Sequence, residues 1–356
     1  MKKLLIIMTV LALVFTAVAN LFAVSQAAVL FLLISPGARS AGMGEAFVAV
    51  ADDASATFWN PAGLAFLQGR EITLMHCNWL PQLVSDMSYE FIAYRQYFES
   101  LGGTLGGNIT FLNMGEQVHT AEHTDETGSP IVLGTFQSWD LAATLCYATK
   151  LNSNLGLGVS MRYIHSHLAP LGAGEERGKG VANSFAIDLG VLYKFSFLPR
   201  LTFGANLSNL GPKITYVDAA QADPLPTNLK VGFAFKVLNT EYNKLTICID
   251  TNKLLVKKNE DGTSDDFYQA IFTAWSDGSF AQQTRRLVSS IGTEYIYNNM
   301  IFLRAGYYYD EEGKVKYPSF GAGLQWSKFR FDFAYVAAEQ GHPLSDTMRF
   351  SLTTAF

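Results

Sequence analysis

Residues able to do chemistry are few in this sequence, and they do not converge. His119 and His123 stand four apart, with Glu116, Glu122, Asp125 and Glu126 around them. On a helix that spacing puts both imidazoles on one face, where they could bind a metal; in an irregular stretch the same residues form a solvated acidic loop. His165 and His167 alternate, so in a strand they face one side. Asp52 and Asp53 are adjacent carboxylates, able to act as an acid–base pair, to cap a short helix through Thr57, or to contact a wall. Glu175, Glu176, Arg177 and Lys179 mix charge within Gly172–Gly180 and read as a loop tip. Cys77, Cys146 and Cys248 are odd in number and far apart, each inside an apparent strand, which predicts reduced thiols. No nucleophile elbow, Gly-rich nucleotide loop or zinc spacing occurs. These residues predict a protein that is not an enzyme, with no cofactor and no metal.

The elements that carry these residues are strands. After Ala65 the sequence alternates with period two, one parity apolar. Fourteen such runs are expected: Glu71–Trp79, Met87–Phe98, Gly103–Met114, Phe136–Ala148, Asn154–His165, Asn183–Phe195, Leu201–Asn209, Asn228–Leu238, Tyr242–Thr251, Leu287–Tyr297, Met300–Tyr309, Ser319–Trp326, Lys328–Val336 and Thr347–Phe356. Most are about 9–13 residues, the length a tilted membrane-crossing strand needs and longer than the usual soluble strand. Short connections (Tyr97–Gly102, Thr149–Ser153, Ser196–Arg200, Asn239–Glu241, Asn298–Asn299) alternate with long ones (Gly115–Thr135, Ser166–Ala182, Leu210–Thr227, Thr251–Arg286). A soluble sandwich has no reason for that regularity. A bacterial outer-membrane barrel has one: short periplasmic turns and long external loops. The fold class predicted is all-β, a 14-stranded antiparallel transmembrane β-barrel.

Composition agrees. Charged residues make up 16% of the chain, below the roughly 25% of ordinary globular domains, so much of the surface has an apolar partner. A net charge of −5 argues against nucleic acid as a partner. Lys2 and Lys3 followed by apolar Leu4–Val18 and small residues form a signal peptide, with cleavage between residues 19 and 27. The predicted division is a signal peptide over 1–27, an N-terminal segment over 28–69 and the barrel over 70–356. Tyr and Trp gather near the strand ends, as at a lipid–water boundary. The last strand alternates to a terminal Phe356, as closing strands of such barrels do. If the apolar parity faces lipid, the other parity puts Arg162, Asp188, Lys194, Lys230, Lys236, Asp250, Glu294, Arg304, Arg330, Asp332 and Arg349 inside or at the rims.

The segment Gly37–Leu64 precedes the first strand. It is rich in Gly and Ala, so its backbone can approach other backbone closely. Glu45–Val50 can hold one helical turn or a short strand, and Asn60-Pro61-Ala62-Gly63 reads as a turn. Gly37-Ala38-Arg39-Ser40-Ala41-Gly42-Met43-Gly44-Glu45-Ala46, then Ala51-Asp52-Asp53-Ala54-Ser55-Ala56, then Trp59-Asn60-Pro61-Ala62-Gly63-Leu64 resembles the N-terminal signature of the PorV/PorQ family, within the wider FadL-like outer-membrane proteins.

That resemblance implies a hatch or plug in the lumen, with Asn60, Pro61, Ala62 and Gly63 at the hatch motif. Arg39, Glu45, Asp52 and Asp53 would then pair with wall charges, among them Asp188, Lys230, Glu294 and Arg304. It also implies one of two functions in the bacterial outer membrane. FadL-like transporters bind fatty-acid-like hydrophobic small molecules and release them sideways through the wall; Gly102, Gly103, Gly106 and Gly107 could supply the kink or bulge for such an opening. PorV members serve type IX secretion and carry exported proteins at the outer surface. For that reading Trp79, Leu80, Leu83 and Val84 in the apolar loop Asn78–Ser85, together with the large loop Thr251–Arg286, are the expected contact surface. The expected partners are outer-membrane lipid, a hydrophobic small molecule in the lumen, or secretion-system and envelope proteins.

Overall fold

A computed structural model describes residues 27–124, 128–169, 180–216, 221–259 and 261–356. The expected signal peptide, Asp125, Glu126 and nearly all of the Gly172–Gly180 loop tip lie outside the described residues. Fourteen strands close into one barrel, each hydrogen-bonded to its neighbours in sequence and β1 to β14. They are β1 (Arg70–Asn78), β2 (Ser88–Phe98), β3 (Gly103–Thr124), β4 (Pro130–Lys150), β5 (Leu155–Ala169), β6 (Gly180–Lys194), β7 (Leu201–Leu210), β8 (Asn228–Asn239), β9 (Asn243–Leu254), β10 (Leu287–Tyr297), β11 (Ile301–Asp310), β12 (Val315–Trp326), β13 (Phe329–Val336) and β14 (Thr347–Ala355). All pairs are antiparallel, and closure is direct: Leu74 lies opposite Leu352 and Met75 opposite Ser351. Closure gives every strand a hydrogen-bonded neighbour on each side, as a bilayer requires.

Burial is inverted relative to a soluble protein. In β6, Phe185, Ile187 and Leu189 are exposed at 58%, 48% and 48%, while Asp188 between them is fully buried. The same alternation runs through β5, β11 and β14. An apolar outer face with charged residues on the buried face is the pattern of a wall against lipid.

Two connections differ from expectation. Gly115–Thr135 is not a loop: β3 and β4 continue through most of it as a long hairpin, with register shifts between Asn113 and Glu116 and between His119 and Thr120. Both faces are wetted there, so alternation of hydrophobicity disappears while strand pairing persists. Likewise β5 and β6 extend to Ala169 and Gly180. The kink expected at Gly102–Gly107 is absent. Pairing of β3 with β2 runs unbroken from Gly103 to Asn113, and with β4 from Gly103 to Asn113 as well. Lys236 is exposed at the rim, near the short turn between β8 and β9.

The N-terminal segment packs against the buried face of the strands. Ala28 N donates to Pro224 O, in a long connection, and the segment runs to Gln68, whose carbonyl accepts from Arg95 near the short turns. It contains two short α-helices, α1 (Ala38–Gly42) and α2 (Ala56–Trp59). Phe47, Met43, Trp59 and Leu64 are all but fully buried. Glu45–Val50 resolves into a turn closed by Val50 N and Ala51 N on Phe47 O.

Wall glycines seat this backbone. A Cβ at Gly306 would lie 2.0 Å from Gly44 N, and one at Gly204 2.2 Å from Val48 O. At Gly292 it would lie 2.3 Å from Met43 O, and at Gly158 2.4 Å from Ala62 N. Gly292 and Gly306 face each other across β10 and β11, as Gly204 and Gly232 do across β7 and β8. The strand glycines therefore mark backbone contact, not bends. Replacing Gly306 by Val drives a side chain into the Gly44 amide. The variant should lose the heat-resistant folded band on unheated gels at a markedly lower temperature, whereas Leu303→Val on the lipid face should leave it within a few degrees of wild type.

Candidate functional site

Arg39 projects from α1 into a closed ring of alternating charge. Its guanidinium grips Glu294 of β10 with two bonds, of 2.9 and 2.7 Å. Glu294 also accepts from Arg304 of β11 at 2.7 Å. Arg304 reaches Asp332 of β13 at 2.7 Å, and Asp332 accepts from Arg330 at 2.8 Å. Arg330 meets Asp53 at 3.3 Å, and Asp53 returns to Arg39 at 2.9 Å. Three arginines thus alternate with three carboxylates, and the ring sums to zero charge. Asp52 adds a 2.6 Å contact to Arg39 from a half-exposed position.

Position in the strands makes the ring possible. Glu294 pairs with Arg304 and Gly323 with Asp332 in the ladder, so the inward side chains of β10, β11 and β13 lie side by side. Gly321 and Gly323 between them leave room for Arg304 and the α1 backbone. Burial opposes ionisation of Asp53, but Arg39 and then Arg330 outweigh it and hold its carboxyl below the usual range. Asp53 also accepts from Ser55 N at 3.0 Å, which anchors the start of α2, close to the capping role expected of it.

Other clamps repeat the theme. Glu45 accepts from Arg349 of β14 at 3.1 Å and from the Tyr317 hydroxyl at 3.3 Å, while Arg349 also donates to Ser35 O. Asp250 of β9 accepts the amides of Phe47 and Val48 at 2.6 and 2.8 Å. Glu71 of β1 accepts the Ala54 amide at 2.5 Å and pairs with Arg95. Cys146 and Cys248 are free, buried thiols pointing at Thr57 O and Ala46 O of the segment.

Asn60 opens the turn expected over Asn60–Gly63, closed by Gly63 N on Asn60 O at 3.0 Å, and is also a hub. Its Oδ1 accepts Ala62 N and its Nδ2 donates to Val48 O and Val191 O, tying two parts of the segment to β6. Pro61 starts a 3-10 helix over Pro61–Phe66 that Asn60 caps. Ala62 is fully buried, and Gly63 has no room for a side chain: a Cβ there would meet Ala51 O at 2.0 Å.

Of the eight charges expected to join segment and wall, Arg39, Asp52, Asp53, Glu294 and Arg304 are brought together, and Glu45 meets the wall separately, at Arg349. Asp188 is not: it pairs with Arg162 across β5 and β6 at 2.7 Å and accepts Asn209 N, wholly within the wall. Lys230 meets the segment through a ring, its Nζ lying 4.3 Å over Trp59. Arg330, Asp332, Arg349 and Asp250 were legible as inward but not as partners. Glu71 was not singled out, although its alternation with Thr73 and Met75 marks it as inward.

The apolar loop differs from expectation. Trp79 turns inward, packing near Tyr89 with Arg349 over its ring. Leu80 and Val84 are half-buried, and of the four named side chains only Leu83 is exposed, at 62%. His119 lies in the β3 extension, paired opposite Gly134, not on a helix. His165 and His167 do share a side, flanking the Trp139 ring at 5.0 and 5.4 Å.

Above the segment, at the end with the long connections, a cavity of about 470 Å³ opens between β7–β11, Arg162 of β5 and the N-terminal residues. Leu30, Leu32, Leu33, Phe58 and Trp59 give it an apolar side; Asn206, Asn228, Asn252 and Lys230 give it a polar one. The connection after β9 roofs this region with α3 (Phe267–Thr273) and α4 (Phe280–Arg285). Both helices begin in capping boxes, from Asp266 and Ser279. Hydrogen bonds from Thr273 and Asn259 hold the Asp265 carboxyl of this connection below the usual range.

A family model described as "Type IX secretion system protein PorV" matches residues 19–261. No curated protein sequence matches the chain. Among solved structures, the chain is similar to the toluene transporter TbuX of Ralstonia pickettii, at 15% identity and TM-score 0.55, covering 92% of this chain and 100% of that one. It is similar to the P. putida toluene transporter TodX at 15% identity and TM-score 0.55, covering 90% and 99%. A Pseudomonas aeruginosa FadL homologue follows at 11% identity and TM-score 0.50, covering 89% and 98%. At these identities the likeness to solved structures concerns the fold.

Breaking the ring from the segment side leaves Glu294 and Asp53 buried with one partner fewer. Arg39→Met should cost about 3–5 kcal/mol of barrel stability. Arg39→Met combined with Glu294→Gln should recover part of that loss, a coupling that a double-mutant cycle in urea measures directly.

Proposed function

The chain belongs to the PorV family and forms an outer-membrane β-barrel, and from that premise we propose that it is a sealed, non-enzymatic barrel that holds exported proteins at the cell surface for type IX secretion. In this reading the N-terminal segment is a permanent plug, and the outer connections meet the partner. The observation that carries it is the ring through Arg39 and Asp53. To move aside, the plug must break a buried contact to Glu294 and a partly buried one to Arg330. Leaving a charge buried beside Glu294 without its partner costs about 3 kcal/mol, which disfavours an open state by about two orders of magnitude. Glu45, Asp250 and Glu71 add further fastenings.

The outer surface supports the partner half of the reading. Phe272 and Phe280 are exposed at 76% and 85%, with Tyr268 and Trp275 also exposed, on a connection that is otherwise well tied. Arg286 pairs with Asp277 at 2.7 Å, and Lys213 donates to Ser264 O at 2.5 Å. Large aromatics presented by an ordered scaffold are the usual anchors of protein–protein contact. They replace the Asn78–Ser85 loop, of whose four named side chains only Leu83 is exposed, as the leading contact surface.

The second reading, passage of a fatty-acid-like molecule, rests on the fold shared with the toluene transporters and on an apolar dent in the lipid face. That dent is lined by Tyr94, Ile109, Leu145, Tyr163 and Phe185 around Gly107. It lies outside the wall, whose pairing is continuous beneath it.

Photo-crosslinking separates the two. With benzoylphenylalanine at position 272 or 280 in the native envelope, exported proteins should be captured; position 303 on the lipid face should capture none. Capture of nothing from 272 and 280, with faster toluene or fatty-acid uptake by vesicles containing the purified barrel, would overturn the secretion reading in favour of transport.

A further inference from the structure

The end of the barrel with the short connections faces the periplasm in an outer-membrane protein, and its mouth carries a cluster of lysines. Lys150 ends β4, Lys194 ends β6, and Lys236 lies near the end of β8. Each stands two residues beyond a buried, inward-facing position: Ala148, Leu192 and Ala234. The three therefore share the inward parity. The ladder steps them along one stretch of rim. Lys150 lies opposite Gly156, Gly156 opposite Leu192, and Lys194 opposite Thr202, which lies opposite Ala234.

The N-terminal segment ends among them. Phe66 seats on β5, where a Cβ on Gly156 would lie 2.7 Å from its ring, and the Nζ atoms of Lys194 and Lys150 stand 3.9 and 5.3 Å from the ring centroid. A ring face attracts a cation without neutralising it. None of the three ammonium groups makes a hydrogen bond or ion pair among the described residues. Asp52 of the segment is the carboxylate whose charge bears on Lys194, and it is already in contact with Arg39 at 2.6 Å; Lys236 and Lys150 bear on Lys194 with the opposite sign. Glu99 and Glu241, on neighbouring short turns, pair with none of the three. This part of the mouth keeps an excess of positive charge open to the periplasm.

The spacing selects the anion. Neighbouring strands stand about 4.8 Å apart, so the steps from β4 to β6 and from β6 to β8 are each roughly 10 Å. A single phosphate or carboxylate cannot touch all three lysines. An extended chain rises about 3.3 Å per residue, so carboxylates three residues apart match both steps. Headgroups of the bilayer meet the other face of the wall, where the outward parity of these strand ends carries Tyr147, Tyr193 and Phe235.

We propose that the periplasmic mouth docks an extended acidic segment of a periplasmic protein, with successive carboxylates on Lys150, Lys194 and Lys236. The site lies at the opposite end of the barrel from the aromatic connection after β9 and does not rest on the secretion reading.

The test uses the full barrel in phosphatidylcholine nanodiscs and a fluorescein-labelled peptide, Gly-Glu-Ser-Gly-Glu-Ser-Gly-Glu-Gly, beside a version with Gln in place of Glu, read by fluorescence anisotropy. At about 20 mM salt the acidic peptide should bind at least about 10-fold more tightly than the neutral one, the combined weight of three exposed ion pairs. Raising the salt to about 200 mM should remove most of that preference. Lys150→Gln combined with Lys194→Gln should bring the acidic peptide close to the neutral one, whereas Lys316→Gln, at the other end of the wall, should change neither. Equal binding of the two peptides to the wild-type barrel overturns the proposal without relying on any variant. A preference that survives the paired lysine substitutions overturns it as well, by placing the binding elsewhere. So does displacement of the labelled peptide by inorganic phosphate or by a muropeptide at lower concentration than by unlabelled acidic peptide, which would assign the lysines to a single anion or to the cell wall.

Discussion

Arg39 carries a charge that does not titrate in the physiological range, and it sits buried between a short helix and the inner face of a barrel. Such a charge is tolerated only with carboxylates in contact. Glu294 and Asp53 meet that requirement, and each brings a second arginine, which brings Asp332. One buried cation therefore accounts for a ring spanning the N-terminal segment, β10, β11 and β13. A ring of this kind adds little net stability, since desolvation offsets much of the attraction. What it provides is a single permitted position for the segment, because any displacement leaves charges buried without partners.

The same position is enforced by shape. Strand glycines usually weaken a sheet, yet here they occur in cross-strand pairs where the segment's backbone touches the wall. The segment supplies the complement, a run of Gly and Ala with Met43, Phe47, Trp59 and Leu64 as its few large residues. Each of those is fully buried, worth about 1.5–3 kcal/mol apiece. Charge ring and glycine seats together hold the segment in one position against the inner face of the barrel, and the aromatic connection after β9 lies at the end with the long connections.

Much of the fold was legible because a bilayer enforces simple rules. Lipid demands an apolar parity and a spanning length, so β6 and β11 announce themselves through Phe185–Leu189 and Ile301–Tyr309. Where lipid ends the rules end, and the hairpin extension of β3 and β4 past Met114 was hidden because both of its faces are polar or mixed. Arg39, Asp53, Glu294 and Arg304 were recognisable as an inward set, but their pairing depends on strand register and on where the segment lies. Register can be counted along a strand; the placement of a segment cannot. The glycines misled for a physical reason. A strand glycine fits a kink and a close approach equally well, and only the backbone on the other side distinguishes Gly107 from Gly306. Trp79 misled similarly, since an apolar residue in a loop can fold inward or face out.

Amide hydrogen exchange across residues 38–66 of the barrel in nanodiscs tests the fixed plug most directly. The amides of Phe47 and Val48, bonded to Asp250, should exchange as slowly as those of β6 and β11, and adding toluene or laurate should not change them. Exchange on the timescale of the outer connections, or acceleration by either hydrophobic ligand, would show that the segment opens and would contradict the account.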